Sequence, residues 1–129
     1  MKTPENLKYA KTDEWVKLDG NVATIGISDY AQDQLSDIVY VEYNKDPGDT
    51  IKKDDTLATI ESVKAAGDVN SPVTGKVIEV NESLVDHPEF LNDDPYEKAW
   101  MLKVEISEMS EVDQLMSAAD YEKYCEERE

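Results

Sequence analysis

Apolar and polar positions alternate along most of this chain in short runs, with turn residues between them, the signature of half-buried β-strands. Leu7, Tyr9 and Ala10 lead into Glu14-Trp15-Val16-Lys17-Leu18, a first strand. Asp19-Gly20-Asn21 makes a hairpin turn into a second strand, Val22 to Ile27. Ser28 and Asp29 are helix-start residues, and Tyr30 to Leu35 predicts one or two helical turns with Ala31 and Leu35 on one face. Ile38 to Tyr43, rich in β-branched and aromatic residues, is a further strand. Asp46-Pro47-Gly48-Asp49 is a turn, and Thr50-Ile51 a short strand closed by a turn at Asp54-Asp55.

The run Leu57-Ala58-Thr59-Ile60 is followed by Glu61-Ser62-Val63-Lys64-Ala65-Ala66-Gly67-Asp68, and apolar character returns at Val69, Val73 and Val77-Ile78. This predicts a hairpin over about 56–80 with Lys64 at or near its tip, and Gly67 free to take the positive φ of a tight reversal. A lysine held there is solvated and clear of bulky neighbours on its C-terminal side, which suits enzymatic acylation of the ε-amine. A turn lysine also needs no role beyond staying wet.

Ser71-Pro72 and Thr74-Gly75 punctuate the chain before a strand over Lys76 to Val80. Asn81 to Asp94 is a polar excursion with a helical turn near Pro88 to Leu91, stopped by Asn92-Asp93-Asp94-Pro95. Trp100 to Ile106 is the last strand. Two helical pieces at about 110–127 close the chain. One starts at Ser110, with Asp113 placed as in an imperfect capping box and Val112, Leu115 and Met116 on one face. The other follows Ser117 and carries Tyr121, Tyr124 and Cys125, and the final Glu126-Glu127-Arg128-Glu129 is expected to fray. Short strands without βαβ alternation, then helices, predict a mainly β fold: a small β-sandwich or flattened barrel in one domain over 1–129.

Composition narrows the function. Lys and Arg number 13 against 30 Asp and Glu, a net charge of −17. Such a surface repels phosphate backbones and anionic lipid, so neither nucleic acid nor membrane is expected as a partner, whereas positively charged protein patches are favoured. The acidity is also sufficient simply to keep a small protein in solution. The single cysteine, Cys125, excludes an internal disulfide and suits a reducing compartment, and Glu126 and Glu127 beside it disfavour the thiolate. The opening Met1-Lys2-Thr3-Pro4-Glu5 carries neither an apolar signal region nor an Arg-rich presequence, so a cytoplasmic chain, or a matrix chain without its presequence, is expected.

No phosphate loop or Gly-x-Gly-x-x-Gly is present. One histidine, His87 in a polar loop, is too few for His-rich metal sites and reads as a surface residue. Asp54-Asp55 and Asp93-Asp94 are most simply solvated turn residues, and Trp15 and Trp100 core anchors. No self-sufficient active site emerges.

Glu61-Ser62-Val63-Lys64-Ala65 followed by Ser71-Pro72-Val73-Thr74-Gly75-Lys76-Val77 resembles the lipoylated hairpin of the glycine cleavage system H protein family. The resemblance spans nearly the whole chain: Glu14-Trp15-Val16, Thr24 to Asp29, Ala31 to Leu35, Asp37 to Glu42, Asn81-Glu82, Asn92 to Tyr96 and Trp100-Met101. It implies a lipoyl-domain-like barrel-sandwich hybrid and a carrier, not an enzyme. Lys64 would hold lipoate in amide linkage. The arm would take an aminomethyl group from glycine decarboxylase, which uses pyridoxal phosphate. It would pass the one-carbon unit to tetrahydrofolate on aminomethyltransferase and be reoxidised by dihydrolipoamide dehydrogenase. A lipoate ligase or lipoyl transferase would attach it. Positions aligned with Thr12, Glu14 and Asp68 would hold the cationic amine in a partly closed cleft and limit its loss to water.

The chain departs from the family pattern in places. Asp13 and Tyr30 stand where the family often has histidine, Ser36 and Ala99 where it often has glycine, and Gly67 where it has serine or threonine. These bear on turn geometry and partner contacts, not on Lys64. A lipoyl domain of a 2-oxoacid dehydrogenase usually has aspartate before its lysine, where Val63 stands here. A biotin carrier flanks its lysine with methionines, where Val63 and Ala65 stand here. An unmodified interaction domain of similar fold, or a lipoate relay to other complexes, is also compatible with the sequence.

Overall fold

The computed structural model describes residues 1–128. Among these residues, nine strands form two antiparallel sheets. The larger has the order β1 (Lys8–Tyr9), β2 (Glu14–Asp19), β3 (Val22–Ile27), β9 (Leu102–Ile106), β8 (Gly75–Val80), β5 (Thr50–Ile51); the smaller has the order β4 (Ile38–Tyr43), β6 (Thr56–Ser62), β7 (Ala66–Asn70). Neither sheet closes on itself, so the fold is a sandwich with short helices. The inward residues of both sheets make one core, including Val16, Ala23, Ile25, Val41, Leu57, Ile60, Val69, Val77 and Val104. Alternation along the strands puts these on one face, and burying them is the main driving force for the fold.

A second cluster lies outside the main core. Leu7, Tyr9, Trp15, Ala118, Tyr121 and Cys125 pack beneath α4 (Ala118–Arg128). Adjacent residues of β2 therefore serve different cores, Val16 the sandwich and Trp15 the helix. Tyr9 and Tyr121 stack with centroids 4.6 Å apart. Trp100 only partly buries itself against this cluster, with Lys103 Nζ 5.1 Å above its ring. His87 is exposed and stacks on Phe90.

Most predicted elements stand within a residue or two of their expected bounds, with five corrections. β1 was not expected; it joins the sheet edge through pairing of Lys8 with Val16 and Tyr9 with Trp15. The excursion after β8 holds two helical turns, Ser83–Asp86 and Phe90–Asp93, where one was expected. The piece expected from Ser110 is a 3-10 helix over Met109–Gln114, with no side-chain cap. Gly67 does not supply a positive φ: it lies within β7 opposite Ile60. The tail expected to fray continues α4 through Arg128, which is anchored as described below; Glu129 lies outside the described residues.

The helix α1 (Asp29–Leu35) begins as its sequence predicts, with Ser28 Oγ accepting from the Ala31 N–H at 3.1 Å. It ends at Ser36, whose φ of 65° and ψ of −146° lie in a region natural to glycine. A serine there carries a steric cost of about 1–3 kcal/mol. Ser36→Gly should therefore raise the unfolding free energy by roughly 1 kcal/mol, after allowing for the added freedom of the unfolded chain. Chemical denaturation with an unchanged m-value is the check, and an equal or lower midpoint would refute it.

Candidate functional site

The hairpin β6–β7 projects a short, internally bonded tip. Ser62 N–H donates to the Ala65 carbonyl at 2.7 Å, and Ser62 Oγ accepts from the N–H groups of Lys64 (3.3 Å) and Ala65 (3.0 Å). The reversal thus depends on a serine side chain bonding its own backbone, without any glycine. Val63 N–H donates to the Asp37 carbonyl at 3.0 Å and ties the tip to the start of β4. Lys64 is exposed between Val63, 68% accessible, and two exposed alanines. Among the described residues no side chain bonds or pairs with its ammonium. A firm backbone thus presents a free side chain.

Beside this hairpin, between β7 and α1, runs a groove of about 180 Å³. Ile27, Ala31, Leu35, Ile60 and Val69 give it apolar walls, and Thr12, Asp13, Glu14, Gln34 and Asp68 supply its polar groups. Gly67 lines it as well. A Cβ there would reach within 3.7 Å of a Leu35 methyl, so the bare backbone widens the channel. The structure thus brings Thr12, Glu14 and Asp68 to one groove, while Lys64 stands outside the lining.

Glu14 is the unusual member: it is 1% exposed. It pairs with Ile27 across β2–β3 and lies two residues before Val16, so the pleat turns its side chain to the interior face. The Thr12 hydroxyl bonds Oε1, and the Asn70 N–H donates to Oε2 at 3.2 Å. Desolvation pushes the Glu14 carboxyl up to about 8, against the downward pull of the Thr12 and Asn70 bonds and with a small further push from Asp13. At neutral pH the protonated form predominates. Asp68 is exposed at the outer lip, its carboxylate accepting from Thr59 Oγ1 at 3.4 Å. An apolar channel with a hydroxyl and three carboxyls, one of them buried, suits a long apolar chain ending in a cationic amine.

Sequence reasoning missed the groove's apolar walls, which come from separate elements. It also missed Asp13 as a groove residue, although its place among the departures from the family was a signal. Among the described residues three larger hollows lie elsewhere, one of about 400 Å³ lined by Trp15, Tyr96, Trp100, Lys17 and Lys103, one of about 440 Å³ by Tyr40, Tyr43, Lys45 and Val85, and one of about 290 Å³ by Lys11, Lys53, Asp54 and Gln114; none contains a buried carboxyl. Among the described residues, no group of three His, Cys, Asp or Glu could hold a metal ion, and no helix is long and apolar enough to cross a membrane.

The chain is similar over nearly its whole length to proteins of one family. Residues 7–128 match the family model described as glycine cleavage H-protein. The chain is 52% identical over 124 residues to the glycine cleavage system H protein of Carboxydothermus hydrogenoformans, covering 96% of this chain and 95% of that one. It is 50% identical over 125 residues to glycine cleavage system H protein 2, mitochondrial, of Arabidopsis thaliana, covering 97% and 80%. The crystal structure of a glycine cleavage system H protein from Mycobacterium marinum superposes with a TM-score of 0.79 at 28% identity, covering 92% of this chain and 94% of that one.

Proposed function

Since the chain belongs to the glycine cleavage H-protein family, we propose that it carries lipoate on Lys64 and shelters the loaded end of that arm in the groove ending at Glu14. The observation that carries the reading is the pairing of an unobstructed lysine on a firm hairpin tip with an adjacent apolar groove holding a buried carboxyl. A lipoyl group supplies a disulfide that opens to a dithiol and accepts a one-carbon amine, so the protein needs no catalytic side chain of its own.

The residues fit such a group. Acylation removes the Lys64 charge, and Ile27, Ala31, Leu35, Ile60 and Val69 offer apolar cover to a hydrocarbon stem. Thr12, Glu14 and Asp68 offer acceptors to a terminal amine. A cation beside the Glu14 carboxyl favours its ionised form, so the groove gains a negative charge as it receives a positive one. Exclusion of water there slows hydrolytic loss of the amine.

In this reading the partners are glycine decarboxylase with pyridoxal phosphate, aminomethyltransferase with tetrahydrofolate, dihydrolipoamide dehydrogenase, and the ligase or transferase that acylates Lys64. The net charge of −17 favours docking on basic surfaces and makes association weaken with salt. The test is the mass of the intact protein after incubation with lipoate, ATP and a lipoate ligase. The expected result is the addition of one lipoyl group, mapped to the peptide containing Lys64. An unchanged mass, attachment at another lysine, or capture on streptavidin from cells supplied with biotin would overturn the assignment.

A further inference from the structure

The chain contains a single arginine, Arg128, at the end of α4. Its side chain folds back onto the protein. Nη2 donates to Asp13 Oδ1 at 2.7 Å and Nη1 to Asp13 Oδ2 at 3.3 Å, and the guanidinium lies 4.2 Å from the Tyr30 ring centroid and 4.4 Å from that of Tyr124. A forked donor on a carboxylate, stacked between two aromatic faces, is the geometry in which arginine is least replaceable. The pair is largely covered, with side chains 26% and 20% accessible.

Both walls of the groove meet at this pair. Asp13 lies between Thr12 and Glu14, in a left-handed conformation with φ of 77°. Its N–H donates to the Ala10 carbonyl at 3.0 Å, and its own carbonyl accepts from Ser28 N–H at 2.9 Å. Its Oδ1 also accepts from the Tyr121 hydroxyl at 2.7 Å. The Tyr121 hydroxyl in turn accepts from Ser28 Oγ at 2.6 Å, and Ser28 caps α1, the helix that supplies Ala31, Gln34 and Leu35 to the other wall. One network therefore ties the turn bearing Thr12 and Glu14, and the helix facing it, to α4.

We propose that Arg128 is a positioning residue for the groove: acting through Asp13, it sets the placement of Thr12 and Glu14 and neutralises the anion between them. Where the family often has histidine, at positions 13 and 30, this chain has an aspartate and a tyrosine, and both touch Arg128. The charged groups around Glu14 are Asp13 on its own turn, Asp68 from β7 and, through Asp13, Arg128 from α4; α1 faces the groove with uncharged Ala31, Gln34 and Leu35. With Arg128 removed, an uncompensated carboxylate is left next to Glu14. With Asp13 removed, that repulsion goes, but the turn loses its anchor.

The test follows the Glu14 carboxyl by carbon NMR in the full-length, unlipoylated chain, and in parallel the loss of ammonia from the aminomethylated form. The second readout rests on the carrier reading; the first does not, so the two fail separately. Relative to the parent, Arg128→Gln should move the Glu14 titration to higher pH and Asp13→Asn to lower pH. Both should lose ammonia faster, by roughly tenfold, because the groove's polar groups are displaced. Arg128→Lys should titrate close to the parent while still losing ammonia faster. Opposite movement in the two variants is not the mark of a merely structural contact, which would lower stability alone. A folded Arg128→Gln protein with the parent's titration overturns the proposal. If that variant does not fold, Asp13→Asn decides, and an unmoved Glu14 titration there overturns it equally.

Discussion

Lys64→Arg should leave the fold intact and remove carrier function entirely. The side chain is exposed, and no partner bonds or pairs with its ammonium among the described residues. The turn is held by Ser62 and the backbone, which the substitution does not touch. Thermal unfolding and circular dichroism should match the parent. Arginine retains the charge, but its guanidinium stays protonated at any working pH and gives no amine to acylate. The variant should gain no mass with the ligase and support glycine–bicarbonate exchange with glycine decarboxylase only at background. Exchange at even a tenth of the parent rate would remove the arm on Lys64 from the account.

Glu14→Gln has the second largest expected effect, and it appears in stability. The folded-state carboxyl titrates at about 8 against 4.5 for the unperturbed group. Below pH 4.5 both folded and unfolded chains hold the proton, and Glu14 contributes nothing to the pH dependence. Above it the unfolded chain ionises while the folded chain keeps its proton, so stability falls as pH rises until the folded group also ionises near 8. At about 1.4 kcal/mol per pH unit the parent loses on the order of a few kcal/mol across this window. Glutamine has nearly the same shape and no titration. The variant should match the parent near pH 4.5 and exceed it by a few kcal/mol at pH 8–9, a melting difference on the order of 10 °C. A difference constant across pH would place the Glu14 titration at its ordinary value and refute the argument. The same substitution gives up the anion, so it should also speed loss of ammonia from the aminomethylated form. Stability and function pull in opposite directions at this position.

The two effects belong to one design. In the proposed carrier reading, Lys64 serves because the fold leaves it alone, and Glu14 because the fold encloses it. The first needs only a firm turn in water. The second needs a carboxyl held at the edge of a hydrophobic core, where desolvation keeps it protonated until a cation arrives. Glu14 can therefore stay uncharged without a guest, although Asp68 at the lip and the chain as a whole are acidic.

Strand periodicity, turn residues and the Ser28 cap are local, so the sequence by itself determined the sandwich class, α1, the hairpin and the exposure of Lys64. Its ordered motifs also carried the family. Local preference named Gly67 as the residue of the reversal, but the Ser62 side chain supplies those bonds, and Gly67 instead leaves room against Leu35. Only the tertiary structure decided that Glu14 is buried rather than a surface carboxylate, since its environment is built from Asn70, Ile27 and α1, far apart in the chain. It likewise decided that the chain's one arginine, in a tail expected to fray, reaches Asp13 across 115 residues of sequence. Periodicity reports which face of an element is wet; which groups from distant elements share a dry space depends on how the sheets and helix pack.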